Sequence, residues 1–316
     1  MLDTPRAPLI DAFLAQHLRA PYERSILAAD ASFRRYDRII CNNKACVLMD
    51  APPPQEDVRP FTLMTHWLRS QALHAPELLA EDAEQGFLLL EDLGDLSFKK
   101  HIATAVQDEW RLYKAAIDVL LRLRDAEPLP AIASYDHATY RRELEVFTDW
   151  YLPEIGKEPL KADFLALWDE LLNAHSLKQN NMVLRDYHAE NLMWLPDADD
   201  HHKVGLLDYQ DALIGDAAYD LVSLLKDARR DVSPETAERS FHYYIEQSGE
   251  NAEDFACRYA ILGAQRNLKI IGIFNRLARR DGKAHYLELL PRVWAHLNHD
   301  LTHPALADVQ KWMAAL

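Results

Sequence analysis

Asp186 is followed five residues later by Asn191, and Asp208 closes the apolar run Val204-Gly205-Leu206-Leu207. Oxygen acceptors in this order form the set that phosphoryl transfer requires. One carboxylate takes the proton of an attacking hydroxyl, while an amide oxygen and a second carboxylate hold Mg²⁺ against nucleotide phosphates. On that template Asp186 is the base, and Asn191 and Asp208 are the metal ligands. Hard oxygens in so small a number suit Mg²⁺, which keeps waters and completes its shell from phosphate. An Asp and an Asn five apart also occur in ordinary surface turns, so the context decides. Residues 182–184 read as a strand entering a polar loop, 192–195 as a second strand, 196–203 as a turn and 204–207 as a returning strand. Such a hairpin carries Asn191 and Asp208 to the same end.

Other elements must hold this stretch in place. Residues 11–19 carry Phe13, Leu14 and Leu18 at helical spacing. Residues 31–40 and 45–49 read as a hairpin around Asn42-Asn43, and after three prolines Pro60 opens a helix striped by Phe61, Met64, Trp67 and Leu68. A strand at 86–90 runs into the acidic, glycine-broken Glu91-Asp92-Leu93-Gly94-Asp95, which suits a linker between lobes. From Trp110 onward apolar stripes recur at helical spacing, as in Tyr140, Leu144, Phe147 and Tyr151, and further helices are expected at 219–228, 234–247, 252–280 and 286–297. The expected architecture is α+β: a β-rich lobe over 1–92, a hinge near 91–94, and a mainly helical lobe over 93–316.

Composition removes several classes. A net charge of −15 and a pI near 5.4 argue against nucleic-acid binding, which needs clustered Lys and Arg. The three cysteines are scattered and form no C-x-x-C, so neither a disulfide framework nor a structural zinc site is expected. No basic-then-apolar leader and no bilayer-length apolar run is present, which points to a cytoplasmic chain with no membrane partner. The nine glycines include no pair two residues apart, which excludes the G-x-G-x-x-G and Walker A phosphate loops. Oligomeric state has no signature in the sequence.

The stretch 184–191 resembles the catalytic region of the aminoglycoside phosphotransferase and choline kinase family, and more closely that of the bacterial N-acetylmuramate/N-acetylglucosamine anomeric kinases. The resemblance extends to Asp30-Ala31-Ser32-Phe33-Arg34-Arg35-Tyr36, to residues 47–52 and 86–94, to Asp208-Tyr209-Gln210-Asp211, and to Gln265-Arg266-Asn267-Leu268-Lys269. It implies a protein-kinase-like bilobal fold and an ATP- and Mg²⁺-dependent kinase that phosphorylates the anomeric hydroxyl of a small-molecule sugar. Glu91 and Leu93 would then pair with the adenine edge through the backbone. Ser32, Phe33 and Arg34 would cover the phosphates, and His188, Glu190 and Arg266 would contact the sugar. Each has a plainer reading, as a solvated loop or helix-surface residue.

Two departures from the family pattern stand out. Leu184 occupies a position where relatives place a His, so bracing of the loop falls to packing. The strand ending Val47-Leu48-Met49-Asp50 has no Lys for the phosphates, and the helix after it has no Glu to pair with one, which leaves an Arg of the first hairpin as replacement. Asp216 and Asp220 are expected to cap or brace the helix that begins beside them. No long activation loop follows Asp208, which favours a small acceptor over a protein. The competing expectations are a kinase of an aminoglycoside, choline or a homoserine-like alcohol, and a nucleotide-binding pseudokinase.

Overall fold

The computed structural model describes residues 6–29 and 33–316. It opens with helix α1 (Ala7–His17), followed by strands β1 (Tyr22–Ala29), β2 (Arg35–Cys41) and β3 (Lys44–Asp50), helix α2 (Arg59–Ser70), and strands β4 (Leu78–Asp82) and β5 (Phe87–Glu91). The five strands form one antiparallel sheet in the order β1-β2-β3-β5-β4. Asn42 and Asn43 join β2 to β3 with φ of 51° and 61°, the left-handed pair that a two-residue hairpin turn demands and that asparagine tolerates. Because side chains alternate across a sheet, Ile39, Cys46, Leu48, Phe87 and Leu89 share one face, and there they pack with Ile10, Phe13 and Leu14 of α1. Strands β1 and β4 escaped the sequence reading, β1 because Tyr-Glu-Arg-Ser-Ile-Leu-Ala-Ala has no apolar alternation. Both lie at the sheet edges, where one side needs no partner.

The chain continues through α3 (Phe98–Thr104), α4 (Glu109–Asp125), α5 (His137–Trp150) and α6 (Lys161–Ala174). Four short strands come next: β6 (Asn181–Val183), β7 (Leu192–Trp194), β8 (Val204–Leu206) and β9 (Leu213–Gly215). Helices α7 (Ala218–Leu225), α8 (Pro234–Ser248), α9 (Ala252–Arg280), α10 (Leu290–Asp300) and α11 (Ala307–Met313) complete it. Side-chain caps start α5, α8 and α9: Asp136 accepts from Thr139 N, Ser233 from Thr236 N, and Asn251 from Glu253 N and Asp254 N.

Two compact units result. One runs to Phe98 and takes in Asn191–Asp211; the other holds Lys99–Glu190 and Ala212–Leu316. The β7–β8 hairpin therefore belongs with the five-stranded sheet, although the sequence reading divided the chain at 92/93 and set it among the helices. Specific bonds account for this. Trp194 N–H donates to Leu96 O at 2.7 Å and Leu206 N–H to His74 O at 2.8 Å. Gly205 lies so close to Leu93 that a Cβ would sit 2.8 Å from its Cδ1.

In the second unit α5 packs against α9 at Gly272, where an added Cβ would fall 2.4 Å from the backbone carbonyl of Val146. Alanine is the better helix former by about 1 kcal/mol. Here backbone blocks it, and overpacking of this kind costs about 1–3 kcal/mol. Gly272→Ala is expected to lower stability on balance, as measured by urea unfolding; a raised midpoint would show that the two helices separate freely.

Candidate active site

The loop after β6 is held from below. Asp220, in the first turn of α7, accepts from the N–H groups of Leu184 (2.7 Å) and Arg185 (2.8 Å). Burial pushes its carboxyl up to about 7, against the pull of those two donors. Of the two carboxylates expected to serve the helix start, Asp216 does so, accepting from Ala218 N at 3.0 Å and from Lys178 N at 2.9 Å. Asp220 braces the catalytic loop instead, supplying by hydrogen bonds the support that was expected from packing at Leu184. Arg185 then turns left-handed, with φ of 71°. Its guanidinium reaches Glu143 at 2.5 Å and lies 5.7 Å from the ring centre of Tyr135.

Asp186 follows with 46% of its side chain exposed, and Arg266 Nη2 stands 3.7 Å from its Oδ1. Surrounding protein opposes its charge, but Arg266 and Lys269 outweigh that and hold the carboxyl below its usual value. The group is therefore an ionised acceptor at neutral pH, as a general base must be.

His188, expected as a sugar contact, departs from its plainer reading as a solvated loop residue. It is buried, with Nε2 3.2 Å from Arg229 Nη1. Burial first and Arg229 second pull its pKa down to about 3, so the ring is neutral. Glu190 pairs with Arg229 at 3.1 Å and with Lys99, and keeps 35% of its side chain exposed. The plainer reading of Arg266 as a solvated helix-surface residue does not hold either. Gln265 is fully buried, and Arg266 is 6% exposed with its guanidinium donating to Tyr219 OH at 3.2 Å. Lys269 Nζ donates to Glu143 at 2.6 Å.

In the first unit Leu192 pairs with Leu206, and Leu207 N–H donates to Asn191 O at 3.0 Å. The hairpin brings the Asn191 amide to 3.4 Å from the Asp208 carboxylate, which also accepts from Gln210 Nε2 at 2.8 Å. Tyr209, the next residue, is fully buried; its ring stacks on Phe61 at 5.0 Å and its hydroxyl lies 2.7 Å from Thr65 Oγ1. Helix α2 thus anchors the segment that carries Asp208. One amide and one carboxylate fit Mg²⁺ once the Asn191 amide turns its oxygen inward. Among the described residues no group of three or more His, Cys, Asp or Glu gathers to hold a metal unaided, so phosphate and water must complete any shell.

At the linker, Glu91 N–H donates to Glu77 O at 2.9 Å, which commits its donor to the sheet. Its carboxylate pairs with His74 at 3.1 Å. Asp92 is held by Arg38 of β2 at 2.5 Å and caps Gly94 N at 2.8 Å, and Leu93 is buried. Ser32 lies outside the described residues. Phe33 N–H donates to Glu56 at 3.1 Å and Arg34 Nε stands 3.4 Å from the same carboxylate, while Arg35 is committed to Asp37 at 2.9 Å. Both hairpin arginines are thus ion-paired, Arg34 to Glu56 and Arg35 to Asp37. Sequence reasoning missed Glu143, Glu56 and Arg229, whose partners lie far along the chain or in another element.

A profile of the phosphotransferase enzyme family matches residues 23–257. The chain belongs to that family. A protein of Pseudomonas aeruginosa named N-acetylmuramate/N-acetylglucosamine kinase is 37% identical over 308 residues, covering 94% of this chain and 89% of its own. One of the same name from Caulobacter vibrioides is 34% identical over 353 residues, covering 98% and 96%. Among solved structures, an ADP-bound aminoglycoside phosphotransferase superposes with a TM-score of 0.63 at 12% identity, covering 93% of this chain and 98% of its own. A choline kinase from Streptococcus pneumoniae superposes with a TM-score of 0.61 at 12% identity, covering 94% and 100%. The kinase-like α+β fold expected from sequence is thereby shown, and this family member is a phosphotransferase with an alcohol group as acceptor. Among the described residues no helix is long and apolar enough to cross a membrane.

Proposed function

We propose that the protein is an ATP-dependent kinase that phosphorylates the anomeric hydroxyl of N-acetylmuramate and N-acetylglucosamine, giving sugar 1-phosphates for reuse in cell-wall precursors. The observation that carries this is near-full-length similarity, at 33–37% identity, to relatives that bear the name of that kinase.

Asp186 accepts the proton of the sugar hydroxyl as its oxygen bonds to the γ-phosphorus; the bond from that phosphorus to the β-phosphate oxygen breaks, and ADP leaves. Arg266 and Lys269 keep Asp186 ionised for this step. Asn191 and Asp208 would hold Mg²⁺, which neutralises phosphate charge when bound. Glu91 offers its carbonyl and Leu93 its N–H to adenine, and Ser32, Phe33 and Arg34 would serve the phosphates. Within the catalytic loop, direct contact with the sugar falls to Glu190, and His188 and Arg266 act from behind it.

The test is ADP release from the purified protein with ATP and Mg²⁺ against N-acetylmuramate, N-acetylglucosamine, an aminoglycoside, choline and homoserine, with phosphorus NMR locating the new ester. Release with the amino sugars and coupling of phosphorus to the anomeric proton are expected. Turnover of an aminoglycoside or choline alone, an ester at another hydroxyl, or silence with every acceptor would overturn the proposal.

A further inference from the structure

The structure assigns Glu143 as a positioning residue for the catalytic loop, acting on Asp186 through Arg185; the inference rests on Asp186 being the base. Arg185 holds a left-handed backbone, φ 71°, directly before Asp186, a conformation that a side-chain-bearing residue keeps only when its surroundings impose it. Three anchors impose it. Asp220 accepts from the Arg185 N–H at 2.8 Å, and Ser223 Oγ donates to the Arg185 carbonyl at 3.1 Å. Those two would hold any residue. The third depends on the side chain: Arg185 Nη2 donates to Glu143 Oε1 at 2.5 Å.

Glu143 is 8% exposed and sits mid-way along α5. Besides Arg185 it accepts from Lys269 Nζ at 2.6 Å, from Gln265 Nε2 at 3.1 Å and from the hydroxyl of Tyr135. Burial opposes its charge, yet Lys269 and Arg185 bring its pKa down to about 2. A single carboxylate thus ties the loop to α5 and α9 and offsets two cations.

Both of those cations also act on Asp186, together with Arg266, while His188 is neutral; Asp220 faces Asp186, and Tyr219 and Tyr135 face Arg185 and Arg266. Loss of the Glu143 charge would leave Arg185 and Lys269 pulling on Asp186 alone. The base would become weaker as well as less well placed.

Glu143→Gln is the test, with kcat and KM measured across pH and folding followed by thermal unfolding. Expected are a fall in kcat of about 10- to 100-fold, the scale of a small misplacement of a reacting group, an unchanged KM for ATP, and a shift of the acid limb of kcat/KM to lower pH. Adding Arg185→Gly should recover part of kcat, because glycine takes a positive φ without an anchor. Unchanged kcat, or a fall with an unmoved pH profile and no recovery by Arg185→Gly, would overturn the assignment and leave Glu143 a structural residue. If Glu143→Gln does not fold, Arg185→Lys should give the same kcat loss at unchanged KM for ATP, and native kcat there would overturn it equally. Full turnover in Asp186→Asn would remove the base itself; loss in Asp186→Asn beside native kcat in Glu143→Gln would remove this inference alone.

Discussion

Asp186→Asn is expected to lower kcat by about 10²–10⁴-fold, the usual worth of a general base and roughly 3–5 kcal/mol of barrier. The substitution keeps the side chain's shape and removes its charge and its capacity to take a proton. Binding of ATP with Mg²⁺ should survive, because the groups assigned to the nucleotide and metal, from Arg34 and Leu93 to Asn191 and Asp208, are untouched. Asp208→Ala should do the reverse and abolish Mg²⁺-dependent nucleotide binding, so calorimetry and steady-state kinetics on the pair separate the two roles. In the native enzyme the pH profile should add a further sign. Arg266 and Lys269 hold the Asp186 carboxyl below its usual value, so its ionised form persists through the neutral range and is lost only under more acidic conditions than an ordinary Asp would require. Native turnover in Asp186→Asn, or an acid limb near neutrality that the substitution leaves in place, would sink the assignment.

Asp300→Ala is expected to destabilise the protein by about 3–5 kcal/mol, the cost of leaving one member of a buried ion pair without its partner. Asp300 is 2% exposed and is bonded to the ammonium of Lys226 and, at 3.0 Å, to Asn267 Nδ2. Gly263 makes room for it, since a Cβ there would lie 2.6 Å from the carboxylate. The Lys226 ammonium also sits 4.4 Å from the ring centre of Tyr259. That contact cannot replace a full counter-charge. Lys226 directly follows α7, the helix whose Asp220 braces the catalytic loop, so the pair fixes that helix against α9 and α10. Urea unfolding should show the loss, and the double variant Lys226→Met/Asp300→Ala should regain much of it, because an uncharged pair has no ion to desolvate. A loss below about 1 kcal/mol for the single variant, or no regain in the double, would mean that water reaches the site and screens it.

The division between what was legible in the sequence and what was not follows the distance over which each residue is held. Asp186, Asn191 and Asp208 could be read directly because strand, loop, strand, turn and strand are local patterns. The register of a short hairpin then sets Asn191 beside Asp208 whatever surrounds it. The helices from α4 onward showed equally well, since a buried stripe at helical spacing is written in consecutive turns. Strand β1 lacked such a pattern, and its place came from pairing with β2.

The supports of the base were not legible. Asp220 looked like a residue serving its own helix start and braces a loop 35 residues earlier. Arg266 was expected at the sugar, with a solvated helix surface as its plainer reading, and no local pattern singled out Lys269 or Glu143. A charged residue reads as exposed until its partner is known, and here the partners are 42 and 126 residues from Glu143. The sequence by itself pointed to phosphoryl transfer, with one base and two metal ligands as expectations, because those residue types stand in that order on a local strand-loop-strand pattern, and the family match bears out the chemistry. Tertiary structure alone decided what holds the base, since burial turns α9's cations inward and makes one carboxylate on α5 their common counter-charge.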